Sequence, residues 1–128
     1  MKYKYIAITL ATALASLTAC QESMEDKAER DAKEYNRKYC PTPVINYTRT
    51  DSVSFDKKTH VYTYYCSFCN EMDNKEIIDA NKQTIKDMMT KSVKESTTMK
   101  PYLEAGFHFR YICRSDKSPN TILLRIDL

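Results

Sequence analysis

The sequence predicts an α+β fold, a two-layer sandwich in which an antiparallel sheet of about four strands is covered by helices on one face and preceded by an N-terminal tether helix. Three observations predict it. Residues 47–55 and 60–68 alternate in polarity with period two, and so do 107–113 and 122–128, the pattern of strands with one buried face. Between these pairs Ile78, Ile85, Met89 and Val93 recur at helical spacing. Short polar connections join the members of each pair, so the order reads β-hairpin, helix, β-hairpin.

In chain order, Lys2 and Lys4 open a segment whose apolar run, Tyr5 to Leu17, closes on Leu17-Thr18-Ala19-Cys20. At about 13 residues the run is shorter than the ~20 that a membrane-spanning helix takes, and the whole has the form of a secretory signal. Leu17-Thr18-Ala19-Cys20 resembles the lipobox of bacterial lipoproteins. That resemblance implies a diacylglyceryl group on the Cys20 sulfur, removal of residues 1–19 as a signal peptide and acylation of the new amino terminus. Two or more acyl chains hold a protein on a membrane effectively for good, at ~0.8 kcal/mol per buried CH₂. The expected address is the bacterial cell envelope. With no acid immediately beside Cys20, the segment resembles lipoproteins released to the outer membrane, periplasmic or surface-facing. Glu22, Glu25 and Asp26 resemble the surface-export signals of some Gram-negative lipoproteins, and are equally what the first turn of a helix favours.

Residues 20–40 form the lipidated cysteine and the charged tether. Met24, Ala28, Ala32, Tyr35 and Tyr39 recur at steps of three or four, with Glu29/Lys33 and Glu34/Lys38 as favourable i,i+4 pairs. Such a helix over Gln21 to Tyr39 would reach up to ~28 Å. It would stand the domain off the lipid, the competing arrangement being a helix docked on the sheet by its narrow stripe. Cys40-Pro41-Thr42-Pro43 ends it.

Residues 41–128 form the small α+β domain. The first hairpin turns at Asp56-Lys57-Lys58-Thr59, which pairs Phe55 with His60 and sets Val53 against Tyr62 and Arg49 against Cys66. Asp73 with Glu76 has the spacing of a capping box and starts a helix that runs from about Asn74 to Glu95. Pro101 begins a short helix through Tyr102 and Leu103 that Gly106 closes in the left-handed conformation. Phe107, Phe109, Tyr111 and Cys113 share one face of a strand, and Ile122, Leu124, Ile126 and Leu128 share one face of the last strand, with a turn at 115–120 between the two strands. In outline the chain is similar to small bacterial lipoproteins of unassigned function, a resemblance that implies no activity.

Charge excludes some functions. The net charge of +3 falls to +1 when the signal takes away Lys2 and Lys4, and no run of five like charges occurs, so nothing marks a nucleic-acid partner. A single glycine, Gly106, leaves no glycine-rich loop for a phosphate or nucleotide.

The cysteines pose the sharpest question, because Tyr64-Tyr65-Cys66-Ser67-Phe68-Cys69-Asn70 contains a CxxC pair. On one continuous strand Cys66 and Cys69 lie on opposite faces with α-carbons roughly 10 Å apart, beyond the ~7 Å that a disulfide spans. Cys66 then shares the apolar face with Cys113, the favoured partner among the disulfide candidates Cys40, Cys66, Cys69 and Cys113. If instead the strand ended at Tyr65, the strand, CxxC, helix order with Ser118-Pro119 leading into a strand would resemble thioredoxin-like oxidoreductases. Against that stand the short span of 40–65 before the pair and the helix start at Asp73 rather than at Cys69. Four thiols without a second close pair, in an oxidising compartment, favour disulfides over a zinc site. His60 and His108 read as surface imidazoles. Tyr62, Tyr64, Tyr65 and Tyr111, with Phe107 and Phe109, read as sheet core, any outward members offering a sugar-stacking or protein-binding face.

The expected function is therefore that of a lipid-anchored envelope protein with a non-catalytic binding or accessory role. It would have no cofactor, no metal, no nucleic-acid or nucleotide ligand, and an unidentified protein or glycan partner met through an exposed apolar or aromatic patch. The alternative is a thiol-disulfide oxidoreductase using Cys66 and Cys69.

Overall fold

In a computed structural model that describes residues 22–128, one four-stranded sheet carries all the helices on a single face. The order along the chain is α1 (Met24–Tyr39), β1 (Thr48–Asp56), β2 (Val61–Phe68), a 3-10 turn (Asn70–Met72), α2 (Lys75–Ala80), α3 (Lys82–Glu95), α4 (Lys100–Glu104), β3 (His108–Ser115) and β4 (Ile122–Asp127). Leu17 to Cys20 and the signal segment lie outside the described residues.

The α+β architecture is as expected, but the sheet is mixed rather than antiparallel. Strands lie in the order β1-β2-β3-β4. The two hairpins are antiparallel, whereas β2 and β3 run parallel, Val61 beside His108 and Cys66 beside Cys113. The reason is the connection: residues 69–107 carry three helices back across the sheet, and a crossover of that kind returns the next strand in the same direction.

The first hairpin also differs in register. Phe55 faces Tyr62 and Val53 faces Tyr64, because His60 adopts a left-handed φ of 57° and donates its N–H to the Asp56 carbonyl, so that the loop is 57–60. The shift is even, so every side chain keeps its face. A bulge at Asp51 then places Thr50, not Arg49, opposite Cys66. The expected 74–95 helix is broken at Asn81, whose side chain donates to the Ile77 carbonyl. Its N-cap is Asn74, which accepts from the Glu76 and Ile77 amides, while Asp73 turns away to accept from the Lys117 amide at 2.9 Å.

Helix α1 is docked, not extended as a spacer. Its Ala28 and Ala32 are fully buried and pack with Val53 and Phe55. Asn36 bonds both backbone groups of Val53, donating to the carbonyl at 2.8 Å and accepting from the amide at 2.7 Å, so the helix continues the ladder of the edge strand by one side chain. Tyr102 of α4, also fully buried, donates its hydroxyl to Asp31 at 2.6 Å. The core has two clusters on the inner face. One joins α1, α4, β1, Tyr62 and Phe109; the other packs Ile78 and Ile85 on Cys66, Phe68, Cys113 and Leu124.

Candidate functional site

The helical layer has a gap. Helix α1 lies over β1, while α3 lies toward β3 and β4 through Ile85 and Val93. Between them runs a groove floored by Tyr62, Tyr64 and Tyr111, and Tyr64 stacks on Tyr111 with ring centroids 4.8 Å apart. Toward α1 the groove is a cavity of about 410 Å³ walled by Tyr35, Tyr39 and Met99. Beyond the Tyr64–Tyr111 pair, toward α3, lies a second cavity of about 320 Å³ walled by Ile45, Phe68, Met72, Ile85, Met88 and Met89, with Cys66 on its floor and Asn46, Thr48, Thr50 and Ser92 at its polar side.

Local sequence explains the walls. Tyr35 and Tyr39 stand one helical turn apart in the last turns of α1, with ring centroids at 5.3 Å. Ile45 is thrust out by a tight turn in which Ile45 and Thr48 exchange backbone hydrogen bonds around Asn46 and Tyr47, both at positive φ, 52° and 61°. Ile45 is 67% exposed and Met88 63%. With Tyr39, they place three of the seven exposed large apolar side chains of the described residues at this groove. Burial pushes the Tyr62, Tyr64 and Tyr111 phenols above their ordinary range, so the floor stays uncharged at any physiological pH.

The cysteines are sorted by the sheet. β2 runs on to Phe68, so Cys66 points into the helical layer and Cys69 follows beyond the strand. Cys66 and Cys113 are register partners, both buried, with their thiols in contact. The neighbouring Cys113 thiol holds the Cys66 thiol below its ordinary range, and Cys66 together with burial drives Cys113 up. Cys69 is buried beside Arg49, which reaches its sulfur at 3.9 Å from the side that also holds Asp51 and Asp116. Burial, then Asp116, pushes the Cys69 thiol up, the opposite of what a nucleophilic thiol needs. Burial likewise raises Cys40, which follows α1. The structure thus places Cys66 beside Cys113, with Cys69 beyond the end of β2.

Other expected residues fall into place as core or surface. His60 packs beside Phe55 and Phe107, with its Nε2 at 3.4 Å from Glu25, and His108 is exposed. Among the described residues no group of three His, Cys, Asp or Glu side chains is placed to hold a metal ion. No described helix is long and apolar enough to cross a membrane.

Residues 23–124 match the family described as "domain of unknown function (DUF8479)". The chain belongs to this family. The DUF8479 match takes in α1 together with the sheet, in agreement with a helix that is part of the domain. No curated protein matches. Among solved structures, the fold is similar to that of a Pseudomonas aeruginosa protein described as a candidate secreted protein. That match has a TM-score of 0.68 and 15% identity, covering 84% of this chain and 95% of the other. It is also similar to the type 2 secretion system pilotin of Vibrio vulnificus, with a TM-score of 0.62 and 14% identity over 81% of this chain and 86% of the other. At such identities the likeness is one of fold.

Proposed function

We propose that this DUF8479 protein is a lipid-anchored accessory protein of the bacterial cell envelope that holds a protein partner by seating one of the partner's amphipathic helices in the groove between α1 and α3. The observation that carries the reading is the gap in the helical layer, open to solvent and lined with tyrosine, methionine and isoleucine side chains. A contiguous exposed apolar surface of this kind marks an interaction site. The walls are side chains, not a free strand edge. An extended segment laid there would leave its own backbone groups unpaired, whereas a helix satisfies them internally and buries only its apolar face. Methionines suit such a surface because their unbranched side chains adapt to the shape of the guest. The methionine and isoleucine side chains Met72, Ile85, Met88 and Met89 along one wall favour a protein partner over a glycan. The lipobox-like Leu17 to Cys20 supports the membrane attachment, and the fold shared with a secretion-system pilotin supports an accessory role in an envelope assembly, here at the outer membrane.

The test is site-specific photocrosslinking in the living cell. A photoreactive residue at Met88 is expected to trap one membrane-fraction protein, with the adduct mapping to an amphipathic helix. The same residue at the exposed Ser54 is expected to trap none. Equal labelling from both positions, or an adduct in an extended segment, would overturn the reading.

A further inference from the structure

We infer that the lipid anchor holds the domain end-on, with the β1–β2 turn and the α4–β3 corner against the lipid headgroups and the Ile45 end of the groove facing away from the membrane. This rests on the proposed lipidation of Cys20. Ser23, which caps α1, is three residues beyond Cys20. A chain spans at most ~3.6 Å per residue, so the start of α1 lies within about 11 Å of the acylated residue. A free tether helix would let the domain float well away from the surface. Here that freedom is gone, because α1 is fastened to the sheet along its length.

The fastening also fixes which end faces the membrane. In the first turn of α1, Asp26 meets Lys57 at 2.7 Å and Glu25 meets His60 at 3.4 Å. The His60 carbonyl accepts from the His108 amide at 2.9 Å, so the α4–β3 corner shares this end. Further along, Asn36 reaches Val53, and beyond Cys40 the Thr42 amide donates to the Thr50 carbonyl. α1 therefore runs antiparallel to β1 and ends at the opposite pole. Its 16 residues cover about 24 Å at 1.5 Å each, which sets Tyr39 and the neighbouring Ile45 mouth that far beyond the anchored end. The membrane-side charges are mixed, Lys57, Lys58 and Lys100 lying among Asp26, Asp56 and Glu104. The acyl chains, not electrostatics, then carry the attachment, and binding should be little affected by salt.

The absence of tryptophan from the chain allows a clean test. Full-length Thr59→Trp, Lys58→Trp and Lys117→Trp proteins, lipidated in cells, are reconstituted into vesicles that carry nitroxide-labelled headgroups. All three positions are exposed, the first two on the β1–β2 turn and the third on the β3–β4 turn at the far pole. Quenching severalfold stronger at 58 and 59 than at 117 is expected, and should persist at high salt. Equal quenching, or stronger quenching at 117, in protein that floats with the vesicles overturns the orientation alone. Protein that fails to float, with an unmodified Cys20 peptide by mass spectrometry, overturns the lipidation and the orientation with it.

Discussion

Replacing Tyr102 with phenylalanine tests whether α1 is held to the domain by the contacts described above. The ring itself would stay, stacked on Phe107 at 5.7 Å and near Tyr62 at 6.3 Å, so packing is preserved and only the hydroxyl is lost. That hydroxyl donates to Asp31 at 2.6 Å and accepts from Lys27 at 3.3 Å. A hydrogen bond to a charged group contributes about 1.5–3 kcal/mol. The Asp31 side chain remains 29% exposed and keeps Lys27, so water and the ammonium compensate in part and the low end, about 1.5 kcal/mol, applies. At about 2.1 cal/mol/K per residue, a domain of this size should melt about 7 °C lower.

The loss should also depend on pH. Burial raises the Asp31 carboxyl, but the hydrogen bonds from Tyr102 and Lys27 outweigh it and hold the group below the usual carboxylate range. A depressed folded value means that the stabilisation is fully present above the unfolded value of about 3.9 and fades as the pH falls through the folded one. Thermal melts followed by circular dichroism should therefore show the gap between wild type and variant at neutral pH, and show it narrowing below about pH 4. An unchanged melting temperature at pH 7, or a gap that persists undiminished in acid, would refute the reasoning.

Three further outcomes are expected. Asn36→Ala strips two hydrogen bonds from Val53 and should cost about 2–4 kcal/mol in urea titrations, with faster aggregation because part of the β1 edge is uncovered. Disulfide mapping of the protein purified from the envelope without reductant should find Cys66 linked to Cys113, since parallel neighbours sit about 4.8 Å apart, within bonding range, and should find no Cys66 to Cys69 link. Gly106→Ala should cost about 1 kcal/mol by chemical denaturation, purely from backbone strain at φ 82°, because nothing lies within 4 Å of the added carbon.

Much of the fold is legible because a period of two tolerates an even difference in register. The observed hairpin register differs by two residues from the one the turn residues predict, yet Phe55, Tyr62, Tyr64 and Cys66 all keep their face, since an even shift does not move a side chain across the sheet. Strand direction was not legible from alternation, which is the same for parallel and antiparallel neighbours; the clue was the length of 69–107, long enough for a crossover. The break at Asn81 has no proline or glycine to announce it. Of the groove, Tyr62, Tyr64 and Tyr111 were visible as a shared aromatic face, but the space above them depends on how far apart α1 and α3 settle, which no local pattern encodes. The exposure of Ile45 is not legible in the alternation, because it comes from left-handed backbone at Tyr47, a conformation seldom adopted by an aromatic residue. Ala28 and Ala32 did carry a signal: small side chains on one stripe let a helix approach a sheet closely, and that is where α1 is buried.

The parallel pairing of β2 with β3 has a consequence for assembly. Each hairpin joins segments that are near neighbours in the chain, but Val61 meets His108 only after everything from α2 to α4 has been brought round. Closing so long a loop is entropically slow, so the central ladder should form last and limit the folding rate. Until it does, Cys66 and Cys113 reside on separate hairpins, each exposed to whatever oxidant the compartment supplies and to capture by Cys40 or Cys69. In an oxidising compartment chain closure then competes with thiol oxidation, and refolding under oxidising conditions should gain yield when a disulfide isomerase is present to reopen mispaired links.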